Sequence, residues 1–330
     1  MKKINTVLGT VPADQMGPTL MHEHMVLAYP GWEHDALALP LDLKELASAC
    51  AAALGEVKQY GVKTVVDASP CDLWRNIELD KMVADKTGLN IICATGMYYE
   101  AEGMPAYFKF RSQAMDIVTE LYESFMQELT VGIGKTGVKA GVIKVATSHG
   151  VITPYEEKVL RAAAKAQKET GVPILTHTQQ GTMGSEQAAL LTGEGVDPKK
   201  IVVGHMCGNA SLEYQMSVID KGVYVGFDRW GLNFFFPDNL RKATLLGLLG
   251  LGFADRIVLS QDSNARWLGR AFVLPDFIQA LIANWTYTHI FKNIIPQLKQ
   301  AGVTDAQVGQ MLVENPKRIF GGRNFHDGRV

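Results

Sequence analysis

Short runs of consecutive apolar residues recur along the chain, separated by longer stretches whose apolar positions follow helical spacing. The runs are KTVVDAS (63–69), NIICATG (90–96), AGVIKVAT (140–147), PILTHT (173–178), IVVGHM (201–206), VYVGFD (223–228) and RIVLSQD (256–262), with PTLMHEHMV (18–26) as a first member. Unbroken apolar positions, rather than strict alternation, are what parallel strands covered on both faces require. Between them, LDLKELASACAAALGEVKQYG stops at Gly61, a good C-cap. TPYEEKVLRAAAKAQKETG opens on Thr153 as N-cap, with Pro154 in the first turn and Glu156 placed to close a capping box, and stops at Gly171. Eight strands alternating with helices predict an α/β fold, a (β/α)8 TIM barrel occupying residues 1–330 as one domain. A doubly wound sheet would instead place a glycine-rich GxGxxG loop after its first strand, and none is there.

Composition narrows the class. The 330 residues are 47% apolar and 20% charged, with a formal net charge of -2 and no basic run. A nucleic-acid or anionic-membrane partner has no electrostatic support. The N-terminal MKKINTVLGTVPADQMG lacks the apolar segment of a secretion signal, and no stretch approaches a membrane span. Cys50, Cys71, Cys93 and Cys207 are scattered without a CxxC pair, so a reducing cytoplasm is the expected location.

Barrel chemistry collects at the carboxyl ends of strands. The first run ends His22-Glu23-His24. Residues i and i+2 share a strand face, so both imidazoles are expected to point inward and Glu23 away. Lys144 lies inside an apolar run, where a lone ammonium is costly to bury. His177, His205 and Asp262 close the fifth, sixth and eighth runs. One such histidine would read as an ordinary core or surface residue. Four in register, with a carboxylate and a lysine, form a ligand set suited to zinc and its first-row neighbours. Lys144 alone would also suit a Schiff-base nucleophile, as in barrel aldolases.

The order HxH, IKVAT, THT, GH and a late strand-end aspartate resembles the phosphotriesterase family of the amidohydrolase superfamily. The resemblance runs from TLMHEH through AGVIKVATSHGVITPYEEKVLRAAAKA and GVPILTHT to ENPKRIFG. It implies two divalent metal ions, zinc or alternatively manganese, cobalt or iron. His22, His24 and Asp262 would hold the more buried ion, and His177 and His205 the more exposed one. Lys144 would carry an N6-carboxyl group bridging the two. It also implies attack by a metal-bridging hydroxide, with Asp262 orienting it and accepting its proton.

Within the family, VGFDRWGL (225–232) and Tyr98 resemble lactonase segments. Tyr98 and Arg229 would then position a ring ester, as catalytic residues beside Asp262. The plainer reading makes Tyr98 a wall aromatic and pairs Arg229 with Asp228 or a glutamate. The expected substrate is a lactone or carboxylic ester, with phosphotriester or phosphonate hydrolysis as a side activity. Alternatives are an organophosphate triesterase, a phosphorylated sugar-lactone hydrolase in which Arg266 or Arg270 clamps phosphate, and a catalytically silent barrel used for binding. Trp267, Leu268, Phe272 and Leu274 are expected to line an apolar pocket. Cys207 departs from the family pattern, which leaves open a carboxylate behind His205, and reads as an inert small side chain. Asp67 is expected to hydrogen-bond within the mouth without ligating metal, and His149 to be a solvated loop residue. His34, His289 and His326 are expected to be structural or surface residues, and Met97, Met104 and Met183 filler. IANWTYTHIFKNI (282–294) reads either as a homodimer interface or as a core helix.

Overall fold

Each apolar run forms a strand in the computed structural model, which describes residues 2–321: β1 (Thr19–Glu23), β2 (Thr64–Asp67), β3 (Asn90–Gly96), β4 (Val142–Thr147), β5 (Ile174–Thr178), β6 (Ile201–Val203), β7 (Tyr224–Phe227) and β8 (Ile257–Leu259). His326 lies outside the described residues. The strands neighbour one another in chain order, all parallel, with helices between them, as a (β/α)8 barrel requires.

The sheet closes where β8 meets β1. Asp262 N donates to His22 O (3.0 Å) and His24 N to Ser263 O (2.9 Å). Glu23 turns away from the barrel axis, as expected, and stitches this seam. Its fully buried carboxylate accepts from Ser260 Oγ (2.6 Å) and from the N–H groups of Gln261 and Ser263 (both 2.8 Å).

The helices begin and end where local chemistry dictates. Leu43–Gly55 is capped by Asp42, whose carboxylate accepts from Lys44 N and Glu45 N, and a further turn carries the chain to Gly61. Pro154–Thr170 has the expected capping box between Thr153 and Glu156, and ends at Gly171 in the left-handed conformation.

Every strand contributes one side chain to an apolar layer inside the barrel: Met21, Val66, Ile92, Val142, Leu175, Val202, Tyr224 and Val258. A hairpin that the sequence pattern did not reveal (Lys3–Thr6 with Gly9–Pro12) and the last helix, Asn315–Gly321, close the floor through Ile4, Ile319 and Phe320. Burying each large aliphatic side chain contributes about 1.5–3 kcal/mol, so this layer is a stable base. One step higher on the same faces come Lys144, two residues past Val142, and His177, two past Leu175. Asp228 and Asp262 stand four past Tyr224 and Val258. The chemistry therefore begins where the apolar layer stops.

Strand β1 breaks this count. Met21 packs inside, so strict alternation would turn His22 outward. A register shift against β2 between Leu20 and Glu23 corrects the phase and brings both His22 and His24 to the mouth.

Candidate metal and catalytic site

The eight side chains singled out from sequence, His22, His24, Tyr98, Lys144, His177, His205, Arg229 and Asp262, all line one cavity of about 430 Å³ at the carboxyl ends of the strands. His22 Nε2 lies 2.6 Å from Lys144 Nζ. His24 Nε2 lies 3.0 Å from Asp262 Oδ1, while its Nδ1 meets Ser69 Oγ at 2.7 Å. The His205 ring lies 4.5 Å from both His22 and His177, centroid to centroid. His177 Nε2 donates to Gln179 Oε1 at 2.7 Å.

Burial disfavours the charged form of three of these imidazoles. It pushes His22 down to about 3, helped by the neighbouring Lys144 and His205, and it lowers His177 and His205 in the same direction. Burial likewise brings the Lys144 ammonium down to about 8. Burial alone would raise the Asp262 carboxyl; the neighbouring His205 ring, the Arg229 guanidinium and a hydrogen bond from His24 overcome it and hold Asp262 well below the usual carboxylate range. A neutral imidazole and an ionised carboxylate are the forms that bind divalent ions.

This donor set fits the ions the sequence implied. One ligand atom each from His22, His24 and Asp262 lie within 4.8 Å of one another, and the buried His205 Nε2 has no hydrogen-bond partner. His22, His205 and Asp228 form a second such group. The Asp228 carboxylate is already engaged, because it accepts His205 N (2.9 Å) and His205 Nδ1 (3.0 Å), with His22 Nδ1 at 3.3 Å. It thereby fixes the His205 ring from behind and packs beside the His22 ring. Sequence reasoning treated Asp228 only as a partner for Arg229. The signal was nonetheless present, since VYVGFD ends in an aspartate as RIVLSQD does. Ser69 behind His24 and Gln179 beside His177 carried no local signal.

Two of these candidate ligands sit on strained backbone. His205 and Asp262 have φ of 60° and 54°, a region that non-glycine residues rarely adopt. Asp228 pins the His205 N–H, and the Trp285 indole donates to Gln261 O (3.0 Å) and Asp262 O (3.1 Å).

Several expectations are corrected. Arg229 does not pair with Asp228 or a glutamate; its Nε donates to Asp262 Oδ2 at 2.8 Å. The carboxylate behind His205 is supplied by Asp228, and buried Cys207 lies beside it with its thiol pushed up to about 11 by burial. Leu268 turns into the outer core, while Trp267, Phe272 and Leu274 line the cavity as expected. Arg266 and Arg270 do not reach the cavity: both are exposed, and they pair with Glu45 (3.6 Å) and Asp35 (2.6 Å).

Other residues named from the sequence take the following places. Asp67 accepts from Met25 N and Ser69 N at the mouth. His149 and His34 are exposed, and His289 is buried against Asp238. In 282–294, Tyr287, Ile290 and Ile294 belong to the core and Trp285 to the cavity wall. Among the described residues no helix is long and apolar enough to cross a membrane.

Comparison with known proteins agrees with this geometry. The model of the phosphotriesterase family matches residues 2–320. An aryldialkylphosphatase of Saccharolobus solfataricus is 37% identical, over 94% of this chain and 97% of its own. A phospho-furanose lactonase of Mycoplasmopsis synoviae is 31% identical, over 100% and 95%. The solved structure of a mutant PTE-like lactonase from Deinococcus radiodurans superposes with a TM-score of 0.94 at 45% identity, covering 96% of this chain and 100% of that one.

Proposed function

Because this chain belongs to the phosphotriesterase family, whose model spans residues 2–320, we propose that it is a metal-dependent hydrolase of lactones bearing apolar substituents, with phosphotriester hydrolysis as a side activity. The observation that carries the substrate reading is the wall of the cavity. Beyond the ligand cluster it is made of Leu27, Leu73, Leu232, Phe235, Phe272 and Ile278 among others, and its only cation outside the ligand set among the described residues, Arg229, is committed to Asp262. A phosphorylated substrate would need a free cation there, and Arg266 and Arg270 face elsewhere.

His22, His24, His177, His205 and Asp262, together with a carboxylated Lys144, would hold two divalent ions, zinc or alternatively manganese, cobalt or iron, which would supply polarisation of the scissile bond and acidification of water. Lys144 suits carboxylation because burial leaves a substantial fraction of its amine uncharged near pH 8, and only the free amine adds to CO2. Asp262, held ionised and aimed by Arg229 and His24, accepts the proton of the attacking water. Tyr98 packs its ring 4.9 Å from His177, and Asp72 fixes its backbone through two contacts of 3.0 Å. In this reading Tyr98 and Arg229 orient the ring ester. Tetrahedral attack at carbon and in-line attack at phosphorus use the same placement of water, which accounts for the side activity.

The test is a hydrolysis screen of metal-loaded protein on γ- and δ-lactones, acyl-homoserine lactones, phosphorylated sugar lactones, aryl esters and phosphotriesters. The expected order places lactones with apolar tails first. Activity should vanish on chelation and return at about two equivalents of metal per chain. Full activity in a rigorously metal-free sample, or a preference for phosphorylated lactones, refutes the reading.

A further inference from the structure

Outside the ligand set, two charged side chains among the described residues line the cavity, Arg229 and Glu102. Arg229 is neutralised by Asp262. Glu102 has no comparable counter-charge: among the described residues no lysine or arginine pairs with it, and the paired cations nearest it in sequence go to Glu100 and Glu120.

Its backbone is fixed. The Asp72 carboxylate accepts from Tyr98 N (3.0 Å) and Met104 N (2.6 Å), and Gly103 N donates to Tyr99 O (2.9 Å), so the 98–104 segment is tied at both ends. A side chain at position 103 would approach Asp72 Oδ2 to 2.5 Å, which leaves that turn little room to move. From this turn the carboxylate faces the hydroxyls of Tyr29 and Tyr99, both of which are kept protonated by burial and by Glu102 itself. Glu102 is exposed to solvent as well as to the cavity, so it stands at the rim. The exposed Phe235 and Phe272, which also line the cavity, add apolar surface beside it.

A negative charge without a paired cation at the mouth of a largely apolar pocket acts on every charged molecule that enters. We propose that Glu102 is a specificity-determining residue that selects substrates by charge, favouring neutral and cationic esters and lactones and disfavouring those with an anionic substituent, phosphorylated lactones included. This rests on the hydrolase reading above.

The test uses metal-loaded enzyme and three γ-lactones matched in ring and chain length, with tails ending in a carboxylate, a primary amide or an ammonium. The amide substrate is the internal reference, and ratios of kcat/KM are read against it. Wild type should prefer ammonium over amide over carboxylate. Glu102→Gln keeps the shape and an acceptor for the tyrosine hydroxyls. It should raise the carboxylate-to-amide ratio by about threefold to tenfold, the effect of one charge at a partly solvated site, and lower the ammonium-to-amide ratio to match. Glu102→Asp should retain the wild-type order. Salt near 1 M should compress the wild-type ratios, because the screening length falls to about 3 Å.

Ratios in Glu102→Gln within twofold of wild type overturn the proposal. So does an equal fall on all three substrates, which marks a packing role. Absence of lactone cleavage in wild type overturns the hydrolase reading and this inference with it.

Discussion

Asp228→Asn keeps the volume of a buried side chain and removes its charge. The native carboxylate takes His205 N at 2.9 Å and His205 Nδ1 at 3.0 Å, with His22 Nδ1 at 3.3 Å. An asparagine has one accepting oxygen, and its amino group must face at least one of these donors. A buried donor left without a partner costs about 1–3 kcal/mol. The pocket around it cannot relax freely, since a Cβ at Gly226 would lie only 2.4 Å from Asp228 Oδ2. That cost falls on the arrangement in which, on the proposed function, His205 and His22 would present Nε2 to an ion. At 1.4 kcal/mol per tenfold, metal affinity should drop by roughly 10- to 100-fold. Calorimetric titration of chelated protein with zinc, together with metal content after dialysis, reads this directly. Most of the lost kcat should return at saturating metal. Two ions bound as tightly as in wild type would refute the assignment of Asp228 as the residue that positions these rings.

Gly226→Ala places a methyl group against the same carboxylate, and should lower both stability, by about 1–3 kcal/mol, and metal retention; thermal melts with and without zinc report the two effects. Arg266→Ala and Arg270→Ala remove exposed ion pairs remote from the cavity, so kcat/KM should change less than twofold on every lactone tested. A selective loss on phosphorylated lactones would restore the clamp reading. Lys200 donates to Ile319 O at 2.5 Å beneath the barrel, and burial lowers its pKa from 10.5 to about 8. Below pH 8 it is charged both folded and unfolded. Between pH 8 and 10.5 the folded chain gives up the proton and the unfolded chain keeps it, so stability rises with pH there. Lys200→Met should flatten that rise in denaturation midpoints, and equal slopes in the two proteins would contradict it.

Periodicity along the chain reports which face a residue occupies and where an element stops. That is local information, and it sufficed for eight strands, two well-capped helices and six ligand-type side chains, because a histidine, lysine or aspartate ending an apolar run stands out against its neighbours. It also sufficed to send Glu23 away from the axis. Partnership across the barrel is a different quantity. His24 meets Asp262 across 238 residues of sequence, and no local pattern states how a sheet closes. The bulge that sets the phase of His22, the choice of Asp262 over Asp228 by Arg229, the turning of Leu268 into the core and the outward course of Arg266 and Arg270 all follow from the path of loops after the strands. Those paths are settled by packing and by the need to satisfy buried polar groups. The chain thus carries its chemistry in its local pattern, whereas closure of the barrel decides which groups face one another.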